Sequence, residues 1–162
     1  MTLKIISLAL FVTLVGSHNP LFSQCKYKKN EVDKFTKKVY LETTDEILNR
    51  DFSGVIAIGF IKTDTNTFVK LVLNLSNQVY TISKGDKLIF LIKDHTVELN
   101  ASESKVANSY CEMTYPLSPE NLNILKQNRI TDIRLELKDS KIDKSIDEKK
   151  ANKVMALSNC VN

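Results

Sequence analysis

Residues 54 to 61, Gly-Val-Ile-Ala-Ile-Gly-Phe-Ile, are apolar on both alternating faces. That pattern predicts a strand covered on both sides and therefore central in a sheet. Thr67 to Leu75 alternates instead, with Val69, Leu71, Leu73 and Leu75 on one face and Lys70 and Asn74 on the other. It reads as a half-buried strand. Further strands are predicted over Gln78 to Ser83, Lys87 to Lys93, Thr96 to Leu99 and Val106 to Tyr115. Lys84-Gly85-Asp86 supplies a turn suited to positive φ, and Asp94-His95 a two-residue hairpin connection. Ahead of this β region, Tyr27 to Asp51 is polar and lysine-rich, with one alternating stretch at Lys38-Val39-Tyr40-Leu41-Glu42 that reads as an opening strand.

The signature changes at Ser118-Pro119-Glu120. A serine cap, a proline at the first helical position and an acid in the first turn predict a helix start. Leu122 and Leu125 form its inner stripe and Asn128 ends it. Ile133, Leu135 and Leu137 then alternate with Arg134 and Glu136 as a strand that opens near Ile130, and a final helix is expected from about Ile142 to Val161. The order of strands, then helix, strand, helix predicts an α+β fold: an antiparallel β meander with two C-terminal helices packed on the sheet.

Met1 to Gln24 does not belong to that pattern. Lys4 followed by the apolar run Ile5 to Val15 reads as an export signal, too short for a membrane span of about 20 apolar residues. This leaves residues 25–162 as one globular domain, periplasmic or extracellular. A lipid anchor on Cys25 would want a small residue before it, and that position is Gln24. Export also places Cys25, Cys111 and Cys160 in an oxidising compartment. Chain termini are often close in space, so the preferred disulfide joins Cys25 to Cys160 and leaves Cys111 as a small buried hydrophobe. The pairings Cys25 with Cys111 and Cys111 with Cys160 stay open at this stage.

The 162 residues carry 23 Lys+Arg against 19 Asp+Glu, 43% hydrophobic residues, 4 Gly and 3 Pro. This is the mixture of an ordinary folded domain and excludes collagenous or low-complexity structure. A formal charge of +4 does not support a nucleic-acid grip. Lys26, Lys28, Lys29, Lys34, Lys37 and Lys38 do crowd the start of the mature chain, interleaved with Tyr27, Phe35 and Tyr40. They read as a solvated segment protecting a sheet edge.

Catalysis by general acid–base or nucleophilic chemistry needs a base beside a reactive group. Loss of the signal removes His18 and leaves His95 alone. No nucleophile elbow surrounds any serine, so His95 reads first as a turn residue. The isolated cysteines do not form a zinc pattern. Asn30, Glu31 and Asp33 are an oxygen cluster of the kind usually found in turns and caps, and Gly54 and Gly59 read as close-packing or bulge positions, not a phosphate loop. No catalytic, cofactor-binding or metal site is therefore expected. Asn74-Leu75-Ser76 and Asn100-Ala101-Ser102 match the N-glycosylation spacing.

Ser23-Gln24-Cys25-Lys26-Tyr27, Asn30-Glu31-Val32-Asp33-Lys34-Phe35-Thr36, the Lys84-Gly85-Asp86 turn and Tyr115-Pro116-Leu117-Ser118 together carry a resemblance. On these residues the chain resembles the small exported single-domain proteins of Bacteroidetes bacteria. That resemblance implies no activity and transfers no functional residue. The functional expectation is a small non-enzymatic binding or protein-interaction module of the bacterial envelope, its partner an envelope protein or a small ligand. One alternative is a carrier of an apolar ligand. Another is a hydrolase built from loop residues in which His95 meets Asp94 and Glu98.

Overall fold

The computed structural model describes residues 25–51, 54–74, 81–93 and 95–161; the expected export signal, residues 1–24, lies outside them. Among the described residues the strands are β1 (Tyr27–Val32), β2 (Val39–Thr43), β3 (Glu46–Asp51), β4 (Gly54–Thr63), β5 (Thr67–Asn74), β6 (Lys87–Ile92), β7 (His95–Asn100), β8 (Glu103–Ala107), β9 (Tyr110–Leu117), β10 (Asp132–Glu136) and β11 (Lys141–Ser145). The helices are α1 (Pro119–Gln127) and α2 (Glu148–Ser158). All strand pairs are antiparallel, and the α+β class holds.

The strands do not form one meander. A seven-stranded sheet runs β1-β2-β4-β5-β9-β8, with β3 sharing the edge of β4 that β2 also uses, and a second sheet runs β11-β10-β6-β7. The chain leaves the first sheet after β5 to make β6 and β7, returns for β8 and β9, and leaves again for β10 and β11. Doubly apolar β4 is internal as expected, paired with β5 on one side and with β2 and β3 on the other. One apolar core takes alternate residues from both sheets: Ile56, Ile58 and Phe60 of β4, Val69, Leu71 and Leu73 of β5, Met113 and Tyr115 of β9, Leu88 and Phe90 of β6, and Ile133 and Leu135 of β10. Leu125 of α1 and Ala151 and Val154 of α2 complete it. Helix α2 contacts β3 and β4, and α1 contacts α2.

Several boundaries differ from the sequence reading, each for a local reason. The polar segment before β4 holds three strands rather than one, because β1 and β3 are edge segments whose side chains are largely exposed. Ile92 pairs with His95, so His95 is a strand residue and not part of the connection, which opens at Lys93 with a φ of 52°. The run from Val106 to Tyr115 is broken by Asn108 at a φ of 55°, a left-handed position that asparagine tolerates. It forms the β8–β9 hairpin, with Ala107 opposite Tyr110. Of the strand expected over Gln78 to Ser83, residues 78–80 lie outside the described residues, as does Leu75 at the end of the preceding expected strand, and residues 81–83 are not strand.

The long final helix is also two elements. Ile142 sits opposite Leu135 in β11, and the Asp147 carboxylate accepts a hydrogen bond from Lys150 N at 2.9 Å, capping a helix that starts only at Glu148. The first helix matches its signals: Ser118 Oγ accepts from Asn121 N, Pro119 is at the first turn and Asn128 is the C-cap. Gly85 adopts a φ of 95° in its turn, where the Asp86 carboxylate accepts from Ser83 N and Ser83 Oγ. Cys25 and Cys160 form a disulfide across 135 residues, tying the start of β1 to the end of α2. Tyr27 Oη donates to the Cys160 carbonyl at 3.0 Å beside it.

Candidate functional site

The β4–β5 register sets Gly59 opposite Lys70, and the β5–β9 register sets Thr114 on its other side. Alternation along β5 sends Val69 and Leu71 into the core and turns Lys70 to the opposite, outer face of the sheet. A lysine there would ordinarily reach solvent, yet its side chain has 0% exposure. The cause is a break in the neighbouring edge. Strand β2 leaves β4 at Glu42, opposite Ile61, and β3 joins it at Glu46, opposite Ile58. Thr43, Thr44 and Asp45 therefore span only Gly59 and Phe60, and Phe60 N donates to Thr43 Oγ1 at 2.9 Å instead of to a ladder carbonyl.

The extra length folds Asp45 over Gly59. A Cβ on Gly59 would stand 2.5 Å from Asp45 Oδ1 and 3.4 Å from Lys70 Cε. Lys70 Nζ then lies 2.5 Å from Glu42 Oε1 and 2.8 Å from Asp45 Oδ1. Glu42 is shared further, with Lys28 Nζ at 3.2 Å and with the Tyr40 hydroxyl, which donates to Oε2 at 3.2 Å. Two lysines thus face two carboxylates, the balance that lets a charge group leave water.

Burial pushes the Lys70 ammonium toward release of its proton, but the hydrogen bonds and charges of Asp45 and Glu42 outweigh it and hold Lys70 above its ordinary value. Burial likewise raises the Glu42 carboxyl, and Lys70 and then Lys28 overcome that effect and leave it lowered. Lys70 is therefore a charged ammonium at neutral pH and not a nucleophilic amine. Around this trio the phenols are held up: Tyr40 by burial and then by Glu42, and Tyr110 by burial and by Glu112, to which its hydroxyl donates at 3.1 Å.

Next to the trio, a groove of about 320 Å³ crosses the same outer face. Ile61 and Phe68 form its floor, Tyr40 stands at the β2 end, and Glu103, Lys105 and Glu112 line the β8–β9 side. A rigid floor with charged walls can hold a ligand that has an apolar body and polar groups. The two hydroxyls that do meet carboxylates, Tyr40 on Glu42 and Tyr110 on Glu112, belong to phenols held above their ordinary value, so each keeps its proton at neutral pH.

The other residues singled out from sequence lie elsewhere. His95 is exposed at the start of β7, and strand alternation puts Glu98, three residues on, on the opposite face. Glu98 instead lies 3.8 Å from Lys87; Asp94 is outside the described residues. Glu31 pairs with Lys29 at 2.9 Å, and Asp33 caps a turn, so Asn30, Glu31 and Asp33 do not converge. Among the described residues no group of three or more His, Cys, Asp or Glu is arranged to hold a metal ion. Cys111 is buried and free, its thiol pushed up to about 11 by burial and then by Asp86 and Glu112. Asn74 and Asn100 are exposed at strand ends. No described helix is long and apolar enough to cross a membrane.

The sequence reading missed Lys70, Glu42 and Asp45 as a unit. The available signals were a lone lysine between Val69 and Leu71 in a strongly apolar strand, and a glycine inside the neighbouring strand. No protein-family model, curated protein or solved structure matches this chain.

Proposed function

We propose that the protein is a small exported binding module, not an enzyme, which meets an envelope protein or small ligand on the outer face of its seven-stranded sheet. The observation that carries this reading is the groove floored by Ile61 and Phe68 beside the Lys70 trio. Because Lys70, Glu42 and Asp45 satisfy one another, the floor is held rigidly before any ligand arrives, which lowers the ordering cost of binding. Lys105, Glu103 and Glu112 at the β8–β9 side are the charges left to select a partner. The disulfide fits an oxidising compartment and therefore export.

Native mass spectrometry of the protein recovered from its producing cells tests the reading. Wild type should carry a partner or small-molecule adduct that dissociates on denaturation. Phe68→Glu, a change at a partly exposed position, should lose it while keeping the wild-type circular dichroism spectrum. An adduct of equal abundance on the variant would place the binding surface elsewhere and overturn the assignment. Turnover of a defined substrate abolished by His95→Ala would overturn the non-enzymatic reading.

A further inference from the structure

The tip of the β1–β2 hairpin is held by its own hydrogen bonds. Asp33 N donates to the Lys38 carbonyl and Lys37 N to the Asp33 carbonyl, both at 2.8 Å. The Asp33 carboxylate accepts from Phe35 N at 2.9 Å, Thr36 N at 2.6 Å and Thr36 Oγ1 at 2.9 Å. Lys37 closes the turn at a φ of 59°. The tip is thus ordered from within, and its one acid is turned inward. The neighbouring Asp64 is also occupied, accepting from Val39 N at 2.5 Å, and Glu31 pairs with Lys29.

This ordered turn presents Phe35 with 81% of its surface exposed, the highest value among the exposed large apolar residues, and Val32, three residues earlier, is 59% exposed, close to the 61% of Val106 on β8. Lys34 Nζ lies 4.8 Å from the centre of the Phe35 ring. Lys34, Lys37 and Lys38 make no ion pair among the described residues. Between residues 26 and 38 the chain carries six lysines and two acids, although the whole protein is close to balance.

We propose that this hairpin tip docks the protein on an anionic lipid bilayer, with Phe35 entering the headgroup boundary and Lys34, Lys37 and Lys38 meeting lipid phosphates. A single protruding aromatic ring has no concave surround of its own, so a rigid protein partner would need a matching pocket, whereas a fluid bilayer closes around the ring on all sides. Lysine stems also bury their methylene groups in such a boundary while the ammonium stays at the phosphate level. One ring and three cations give a weak, reversible attachment, so the contact holds the protein near a surface without anchoring it permanently.

The chain contains no tryptophan, so Phe35→Trp places a sole tryptophan at the tip, whose emission is read with excitation beyond tyrosine absorption. With phosphatidylglycerol-containing vesicles the emission of the purified variant should shift to the blue, and wild-type protein should co-sediment with the same vesicles. Pure phosphatidylcholine vesicles should give neither effect. Adding Lys34→Gln, Lys37→Gln and Lys38→Gln should lower the partition coefficient on the order of a hundredfold, about fivefold for each lysine near the surface. Phe35→Ala should also reduce sedimentation. All these positions are exposed, and circular dichroism checks that each variant is folded. The proposal is overturned by absence of both the shift and sedimentation, by equal binding to phosphatidylcholine, by unchanged binding of the glutamine variant, or by the same shift with soluble polyphosphate in place of vesicles.

Discussion

Replacing Lys70 by methionine keeps most of the side chain's length and removes the ammonium, both its charge and the hydrogen-bond donors that reach Glu42 and Asp45. In the wild type the ammonium has no access to solvent, while Glu42 and Asp45 retain 12% and 26% side-chain exposure. Removing one partner of a buried pair costs roughly 3 to 5 kcal/mol, because the other charge stays desolvated. Here the lower end applies, since both acids keep a path to water and Lys28 still neutralises part of Glu42. The expected loss is about 3 kcal/mol at neutral pH. In urea unfolding this lowers the midpoint by about 1.5 M for a slope near 2 kcal/mol/M, and the melting temperature by about 10 °C.

The pH dependence separates an electrostatic loss from a packing loss. Glu42 is lowered below its ordinary 4.5, so its contribution in the wild type is present above that value and drains away as pH falls through the lower folded value. Lys70 is raised above its ordinary 10.5, so its contribution is complete below that value and disappears as pH rises through the higher folded value. Wild type and Lys70→Met should therefore differ most between these limits and converge outside them. On the acid side the stranded Glu42 carboxylate takes up a proton and no longer needs a counter-ion. In the triple variant Lys70→Met, Glu42→Gln, Asp45→Asn, most of the loss at neutral pH should be recovered, because no buried unpaired charge remains and Lys28, which loses Glu42, is exposed to water. A Lys70→Met cost under about 1 kcal/mol would refute the reasoning. So would a cost that stays constant from neutral to acid pH, or a triple variant that sums the single effects.

Gly59→Ala forces its new Cβ against Asp45 Oδ1 and should cost about 1 to 3 kcal/mol; the cost should shrink in an Asp45→Ala background in the same urea assay. Cys25→Ser with Cys160→Ser releases a loop of 135 residues and should destabilise by roughly 2 to 5 kcal/mol, measured against the oxidised protein; an unchanged melting temperature would count against a constraining role. At pH 8, Ellman's reagent should find no reactive thiol in the native oxidised chain and one in urea, because burial both covers Cys111 and raises its thiol to about 11. Hydrogen exchange should show faster opening of Tyr27–Asp51 in the triple variant than in wild type, even where global stability is recovered; equal protection would show that the ions do not hold this edge.

The strands that surround the core were legible because their residues decide locally which side is buried. Val69, Leu71 and Leu73 occupy the face that alternation assigns them, and the double-sided apolar run of β4 lies inside the sheet. The capped start of α1 was legible for the same reason, since Ser118, Pro119 and Glu120 act within one turn. The division into two sheets was not, because hairpins such as β6–β7 have the same local pattern whichever sheet they join. The final helix is expected from about Ile142, but the spacing of four between Ile142 and Ile146 also fits one strand residue and one residue beyond the strand's end. Lys70 was the largest misreading of environment. Alternation places it correctly on the outer face, but its burial depends on Glu42 and Asp45 from a segment more than twenty residues earlier.

That dependence also explains where a charged trio is useful in this fold. Strands β1 to β3 contribute few residues to the apolar core, with Leu48 their one fully buried aliphatic side chain in it. Apolar burial alone therefore specifies their pairing weakly. A slip of β2 by one residue along β4 would turn Glu42 to the other face and leave Lys70 buried without its closest carboxylate. The desolvation cost falls only on the wrong register, so the trio discriminates between alignments even if its net contribution to stability is small. The Thr43–Asp45 break serves the same end, since Asp45 reaches Lys70 only where Gly59 leaves room. Fixing this edge holds Tyr40 beside the groove and orients the hairpin that carries Phe35. Both proposed contact surfaces thus depend on the Lys70, Glu42 and Asp45 cluster.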